Sequence, residues 1–297
     1  MCIRDRERSN YAYSVRMSEK INITIIGAAG KMGCELIRQI SNSSNYNLVA
    51  AIEGKDSKFI GEDAYKIAGS SIEGIKISED LISAVTKSDA LIDFSSIEST
   101  LYATELSAQA RIVHVIGTTG FDKKHDEMIQ AAARHATIIK SGNMSLGLNI
   151  LLGIVQNASK LLDDNWSVEI SEVHHKEKKD HPSGTALSLG SFVANGMDID
   201  LENKKVIDDP IDIKDEINLT KMKEGLVRKK GDIGFSSYRK EGVVGDHSVI
   251  FEGNNERIAL AHIAESRDIF ANGALKAASW GQDKEPGLYT MQDVLGF

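Results

Sequence analysis

The sequence predicts an α/β protein: a Rossmann-like parallel-sheet domain, and a second α+β domain with a mixed, largely antiparallel sheet. Three observations carry this. Residues 21–26, INITII, form a β-branched apolar run that leads directly into a glycine-rich turn, GAAGKMG, and then into CELIRQI with helical spacing. Four more apolar runs of strand length alternate with helical stretches up to residue 145. Near residue 165 the pattern changes to polar–apolar alternation broken by glycine turns.

Each strand in the first part ends on small or acidic residues. NLVAAIEG (47–54) ends at Glu53, and ALIDFSS (90–96) leaves Asp93 and Ser95 at its end. RIVHVIGTTGF (111–121) and ATIIKSGNMS (136–145) run into Gly/Thr and Ser/Gly/Asn turns. Strands alternating with helices imply parallel pairing and right-handed crossovers, with ligands outside the carboxyl ends of the strands. Further on, WSVEISEVHH (166–175) reads as a strand and 186–195 as a helix. Residues 200–232, rich in Asp and Lys, read as loops with one short element. GFSSYRKEG, GDHSVIFEGNN and ERIALAHIAES read as three strands joined by hairpin turns. The boundaries expected are 17–145 and 257–297 for the dinucleotide-binding domain, and 146–256 for the substrate-binding and oligomerisation domain. FANGALKAASW is expected to be a helix that returns to the first domain.

The bulk numbers exclude several classes. The chain has 297 residues, 41% hydrophobic and 26% charged, with a net charge of −8, so it lacks the basic footprint of a nucleic-acid binder. No apolar run has membrane-spanning length. Its two cysteines, Cys2 and Cys34, make no disulfide framework and fit a reducing cytoplasm. Residues 1–16, MCIRDRERSNYAYSVR, are polar and aperiodic and lack the apolar segment of a secretory signal. They read as a disordered tail or an artefact of the assigned start, with Met17 as the natural one.

GAAGKMG supplies Gly27, Gly30 and Gly33, where a dinucleotide site needs a tight turn, close backbone approach and close helix packing. The helix that follows offers free N–H groups to a pyrophosphate. The spacing is G-x-x-G-x-x-G, so the strand–turn–helix context carries the reading. Glu53 is placed to accept hydrogen bonds from ribose hydroxyls, which favours NADH, while Lys55 is placed to meet a 2′-phosphate. GTTG (117–120) and SGNM (141–144) are either plain turns or turns that expose backbone groups to a nicotinamide ring.

EVHHKEKKDHPSGTAL (172–187) admits three readings: a charged loop, a metal site, or an anion site with a proton donor. Adjacent His174 and His175 point to opposite faces of a strand and no cysteine is near, so no metal is expected. Ser183 is placed to cap a helix whose first N–H groups belong to Gly184 and Thr185, which makes an anion cradle beside a His/Lys cluster.

These blocks, with SGNMSLGLN and FANGALKAA, resemble 4-hydroxy-tetrahydrodipicolinate reductase (dihydrodipicolinate reductase) from about residue 20 to the end. HH-x-x-K-x-D-x-PSGTA is the most specific of them. The resemblance implies reduction of a small cyclic dicarboxylate by NADH and/or NADPH in the diaminopimelate route to lysine, and a homotetramer built through the substrate domains. It assigns His174 and Lys178 as catalytic, and His175, Gly184 and Thr185 to the substrate. It assigns Gly27, Ala28, Ala29, Gly30, Lys31, Met32, Glu53, Gly117, Thr118, Thr119, Ser141, Gly142, Asn143 and Met144 to the cofactor. The chain departs from the family's usual pattern at Ala29, at Gly142, and at Gly54, where some members carry an arginine. Two rivals fare worse. A phosphorylating semialdehyde dehydrogenase needs a nucleophilic cysteine, and a non-catalytic NAD(P) sensor has no use for the His/Lys/PSGT cluster.

Overall fold

The computed structural model describes residues 20–163, 165–221 and 228–297; the tail 1–16 and the expected start at Met17 lie outside them. In chain order the first part contains β1 (Ile21–Ile26), α1 (Lys31–Ser41), β2 (Tyr46–Ile52), α2 (Ala64–Ile67), β3 (Ile77–Ser78), α3 (Leu81–Val85) and β4 (Ala90–Asp93). It continues with α4 (Ile97–Ala110), β5 (Val113–Ile116), α5 (Lys123–Ala132) and β6 (Thr137–Lys140). Then come α6 (Leu146–Ser159), β7 (Ser167–His174), α7 (Gly184–Met197), α8 (Leu201–Lys204), β8 (Lys205–Ile207), β9 (Ile211–Asp212) and β10 (Ile233–Arg239). The chain closes with β11 (Asp246–Glu252), β12 (Arg257–His262), α9 (Asp268–Gly281), β13 (Gly287–Tyr289) and α10 (Met291–Leu295).

The first sheet has seven strands in the order β13-β6-β5-β4-β1-β2-β3, all parallel. β4 and β5 are buried along their whole length, as strands covered by helices on both faces must be. All five strands read from the sequence are present. β3 and β13 went unseen because two or three residues show no periodicity. The core on one face gathers Ile23, Ile25, Leu36, Ile37, Ala274 and Ala278, so the C-terminal helix α9 does return to this sheet.

The second sheet has the order β12-β11-β7-β10-β8, with β9 also on β10. It is mixed: β7, β8 and β9 run parallel to β10, whereas β11 is antiparallel to both β7 and β12. Three expectations need correction. Only β11 and β12 form a hairpin; β10 and β11 are separated by β7. Seven of the eight β7 residues are buried, so this strand belongs in the middle of the sheet, and the 240–245 connection steps across its end. In addition, β12 pairs with β11, so a boundary at 256 cuts through a hairpin; the return to the first sheet comes with α9. Residues 200–232 hold three short elements rather than one.

α9 also braces the turn after β6. A Cβ on Gly273 would lie 1.7 Å from the Met144 carbonyl oxygen, a contact that only glycine permits without backbone movement. Gly273→Ala is therefore expected to cost at least about 2 kcal/mol by overpacking against backbone. A thermal scan that shows the wild-type midpoint would contradict this packing.

Candidate active site

The helix α1 starts without a side-chain cap, since its N-cap residue is Gly30. In contrast, α4, α5, α6 and α7 begin with Ser96, Asp122, Ser145 and Ser183, whose side chains accept from the first helical turn. The α1 N-terminus is thus left open to an anion. Gly27 has φ +79°, and a Cβ on Gly33 would lie 2.2 Å from the Gly27 carbonyl oxygen, so both glycines are required by the turn. Glu53, just past β2, accepts a hydrogen bond from the Ala29 N–H at 2.8 Å. The residues present fit a dinucleotide: an open helix start, a turn from Gly27 to Gly30 with no side chain larger than alanine, and a carboxylate at the end of the next strand.

The turns after β5 and β6 stand on the same edge of the sheet. A Cβ on Gly117 would lie 2.1 Å from the Phe94 ring, so this turn packs directly on its neighbour. The Thr118 hydroxyl is occupied beneath the turn, accepting from Thr100 at 2.9 Å and from the Ser95 N–H at 3.2 Å. Met144 is 1% exposed and packs in the core. These two residues therefore offer backbone rather than side chain to a ligand, as does Ala28, which is equally buried.

Across from this edge, β7 ends in His174 and leads through a loop to α7. Ser183 caps α7 by accepting from the Ala186 N–H at 3.1 Å. Nothing lies within 4 Å of a Cβ built on Gly184, so the first turn of α7 faces open space. Lys178 is ion-paired to Asp180 at 2.8 Å. The guanidinium of Arg239 donates to the carbonyls of Lys178, at 3.1 Å, and Asp180, at 2.9 Å, and fixes that loop.

One cavity of about 730 Å³ joins the two sheets. His174, Lys178, Gly184 and Thr185 line it from one side; Thr119, Ser141, Gly142 and Asn143 line it from the other. Asn143 Nδ2 donates to Thr185 Oγ1 at 3.3 Å and bridges the two sides. His175 is not in this cavity. It faces a second hollow with Lys31 and Arg267, on the other side of the strand end from His174. Gly27, Ala28, Ala29, Gly30, Met32 and Glu53 lie along the neighbouring strand ends, outside the cavity lining.

Sequence reasoning missed several polar residues around the site. Glu172 was legible in principle, because i and i−2 on a strand share a face with His174. Arg239 and His247 were not, since only strand pairing brings them to β7. Glu172, His174 and His247 form the one trio among the described residues with metal-ligand atoms within 4.8 Å of one another. His175 is not part of it, in keeping with the alternation argument; no local sequence signal marks His247. The Lys178 and Arg239 charges beside the trio oppose a bound cation and favour an anionic ligand.

Burial works against a charge on Glu172, but His247, Ser183 and Ser237 outweigh it and hold the carboxyl at about 2. Burial and the neighbouring His247 lower the His174 imidazole to about 4, against the pull of Glu172. Cys34 is half-buried in α1, and burial pushes its thiol up, which disfavours a nucleophile.

An open α/β edge facing a His/Lys/helix-start cradle across one cavity defines a nicotinamide-dependent oxidoreductase of the two-sheet type. Known proteins agree. Residues 21–144 match the family model "Dihydrodipicolinate reductase, N-terminus", and 147–295 match "Dihydrodipicolinate reductase, C-terminus". The 4-hydroxy-tetrahydrodipicolinate reductase of Parvibaculum lavamentivorans is 49% identical over 94% of this chain and 99% of its own length. The same-named protein of Brucella abortus is 46% identical over 93% and 99%. A dipicolinate-bound dihydrodipicolinate reductase from Paenisporosarcina sp. TG-14 shares the fold, with TM-score 0.71, 23% identity, and coverage of 92% of this chain and 98% of that one. The chain belongs to the dihydrodipicolinate reductase family. No described helix is long and apolar enough to cross a membrane.

The site makes stability depend on pH. Both groups have folded values below their ordinary 4.5 and 6.5, so the unfolded chain takes up each proton first. Stability is therefore full above about 6.5, falls towards 4 through His174, and falls further towards 2 through Glu172. His174→Gln should flatten the dependence of the urea midpoint on pH between 6.5 and 4. An unchanged slope would show that His174 is not buried in its neutral form.

Proposed function

We propose that this chain reduces 4-hydroxy-tetrahydrodipicolinate to tetrahydrodipicolinate in the diaminopimelate route to lysine. Substrate, NAD(P)H and one proton give product, NAD(P)⁺ and water. The observation that carries the reading is the convergence of His174, Lys178 and the start of α7 with the strand-end turns at Thr119 and Ser141–Asn143 in one cavity.

The nicotinamide cofactor, when bound, supplies the hydride. The chain's own residues do the rest. The open N-terminus of α1 and the Gly27–Met32 turn hold the pyrophosphate, and Glu53 takes the ribose hydroxyls. The turns Gly117–Thr119 and Ser141–Met144 orient the reacting ring. On the opposite wall the N–H groups of Gly184 and Thr185 receive a substrate carboxylate, with the helix dipole behind them. Lys178 leaves Asp180 to stabilise developing negative charge, and His174 delivers the proton. A dianionic substrate raises the His174 proton affinity from its low resting value, so proton uptake accompanies binding. His175 reaches the substrate when the two sheets close on each other, which also excludes water.

Glu53 beside the turn favours NADH, and the exposed Lys55 lets NADPH bind as well. The assembly is a homotetramer through the second sheet; edge strand β12 leaves Ile258 40% exposed, and Ile263 just beyond it 63% exposed.

Oxidation of NADH and NADPH, followed with the condensation product of pyruvate and aspartate semialdehyde, tests the reading. His174→Ala should lose roughly 10²–10⁴-fold in turnover. Lys55→Ala should weaken NADPH use alone. A folded wild type that oxidises neither cofactor, or a His174→Ala enzyme with normal turnover, would refute it.

A further inference from the structure

His174 is the last residue of β7, and a proton donor at a strand end needs something to hold its ring. Glu172 faces the same side two residues earlier. The strand register puts Ser237 of β10 and His247 of β11 directly across from Glu172, one on each flank. The three make a polar row across the sheet beneath His174. On the β11 side of His174 stands Gly245, where a Cβ would lie 3.1 Å from Nε2, so a glycine leaves room for the ring.

The two oxygens of Glu172 have different roles. Oε1 accepts from the Ser183 N–H at 3.0 Å and from the Ser237 hydroxyl at 2.7 Å, which ties β7 to β10 and to the head of α7. Oε2 has no hydrogen bond, although it is buried. It faces His174 Nδ1 at 3.5 Å and His247 Nε2 at 3.6 Å. His174 Nδ1 is likewise buried without a partner. Two imidazoles, whose ring centroids are 5.0 Å apart, thus share one carboxylate oxygen. The remaining charges that face His174 are Arg239 from β10 and Lys178 from the loop; Ser183 at the head of α7 is uncharged.

We propose that Glu172 and His247 are positioning residues for His174: Glu172 holds the ring through Nδ1–H, and His247 competes for the same oxygen. A shift of under 1 Å turns the 3.5 Å approach into a hydrogen bond of ordinary length. That bond makes Nδ1 the protonated nitrogen and leaves Nε2, on the side away from Glu172, to carry the transferable proton. Burial and the His247 ring 5.0 Å away disfavour a charge on His174 until a dianion arrives. This rests on His174 being the proton donor proposed above.

The test is a set of pH profiles of kcat and KM for E172Q, E172D, H247Q and H174A, each with a circular-dichroism check of folding. The glutamine of E172Q keeps an acceptor for Ser183 and Ser237 but presents an amide donor to His174, which stabilises the wrong tautomer. It should lose roughly 10²-fold or more in kcat while substrate KM moves little, and E172D should recover part of the loss. H247Q leaves Glu172 to His174 alone, so the alkaline limb of its kcat profile should move to higher pH. If E172Q turns over like wild type, or if E172Q and H247Q lose activity with unmoved profiles and raised KM, the pair is merely structural and the proposal falls. If H174A is impaired while E172Q and H247Q match wild type, only this proposal is overturned. A normal H174A overturns both.

Discussion

One buried carboxylate organises the chemical end of this protein. Glu172 sits in the middle of the second sheet, and its two oxygens reach three elements beyond its own strand: Ser237 on β10, His247 on β11, and the backbone N–H of Ser183 at the head of α7. A buried charge must be satisfied or it destabilises the fold. Satisfying this one fixes the order of three strands and the direction in which α7 begins. The start of α7 at Gly184–Thr185, proposed above as the anion cradle, and the ring of His174 are therefore set by a single constraint. Because the hydrogen bonds keep Glu172 ionised, the constraint persists across the working pH range.

The other wall of the cavity follows from a different rule. Parallel strands buried on both faces bring all their carboxyl ends to one edge, and the turns there must pack without side chains. Gly33 against Gly27, Gly117 against Phe94, and Gly273 against Met144 are the places where that packing is tightest. Each fixes a turn assigned to the cofactor. Asn143 then reaches across to Thr185, so the two walls are in register before any ligand is present.

Most of the first sheet was legible in the sequence, because its strands are continuous apolar runs and its turns are glycine-rich. The helix start at Ser183 was legible too, through the chemistry of capping. What escaped were relations that exist only across strands. β7 lies between β10 and β11 although the chain runs from one to the other through a short glycine-containing link, and nothing local marks that step. Arg239 and His247 become neighbours of His174 only through this arrangement. The boundary at 256 split β12 from the strand that the sequence itself read as its hairpin neighbour, and pairing with that strand keeps β12 in the second sheet. His175 shows the reverse case: alternation along a strand predicted that it would face away from His174, and it does.

In the proposed mechanism His174 is neutral and held through Nδ1 at rest, then charged once a dicarboxylate is bound. Nitrogen NMR of protein labelled in its histidines reads both states, with dipicolinate as the probe ligand. The predicted result is an Nδ1-protonated, neutral ring at pH 7 in the free protein that becomes doubly protonated as dipicolinate saturates the site. A resting ring protonated on Nε2, or one whose charge does not change on binding, would contradict it.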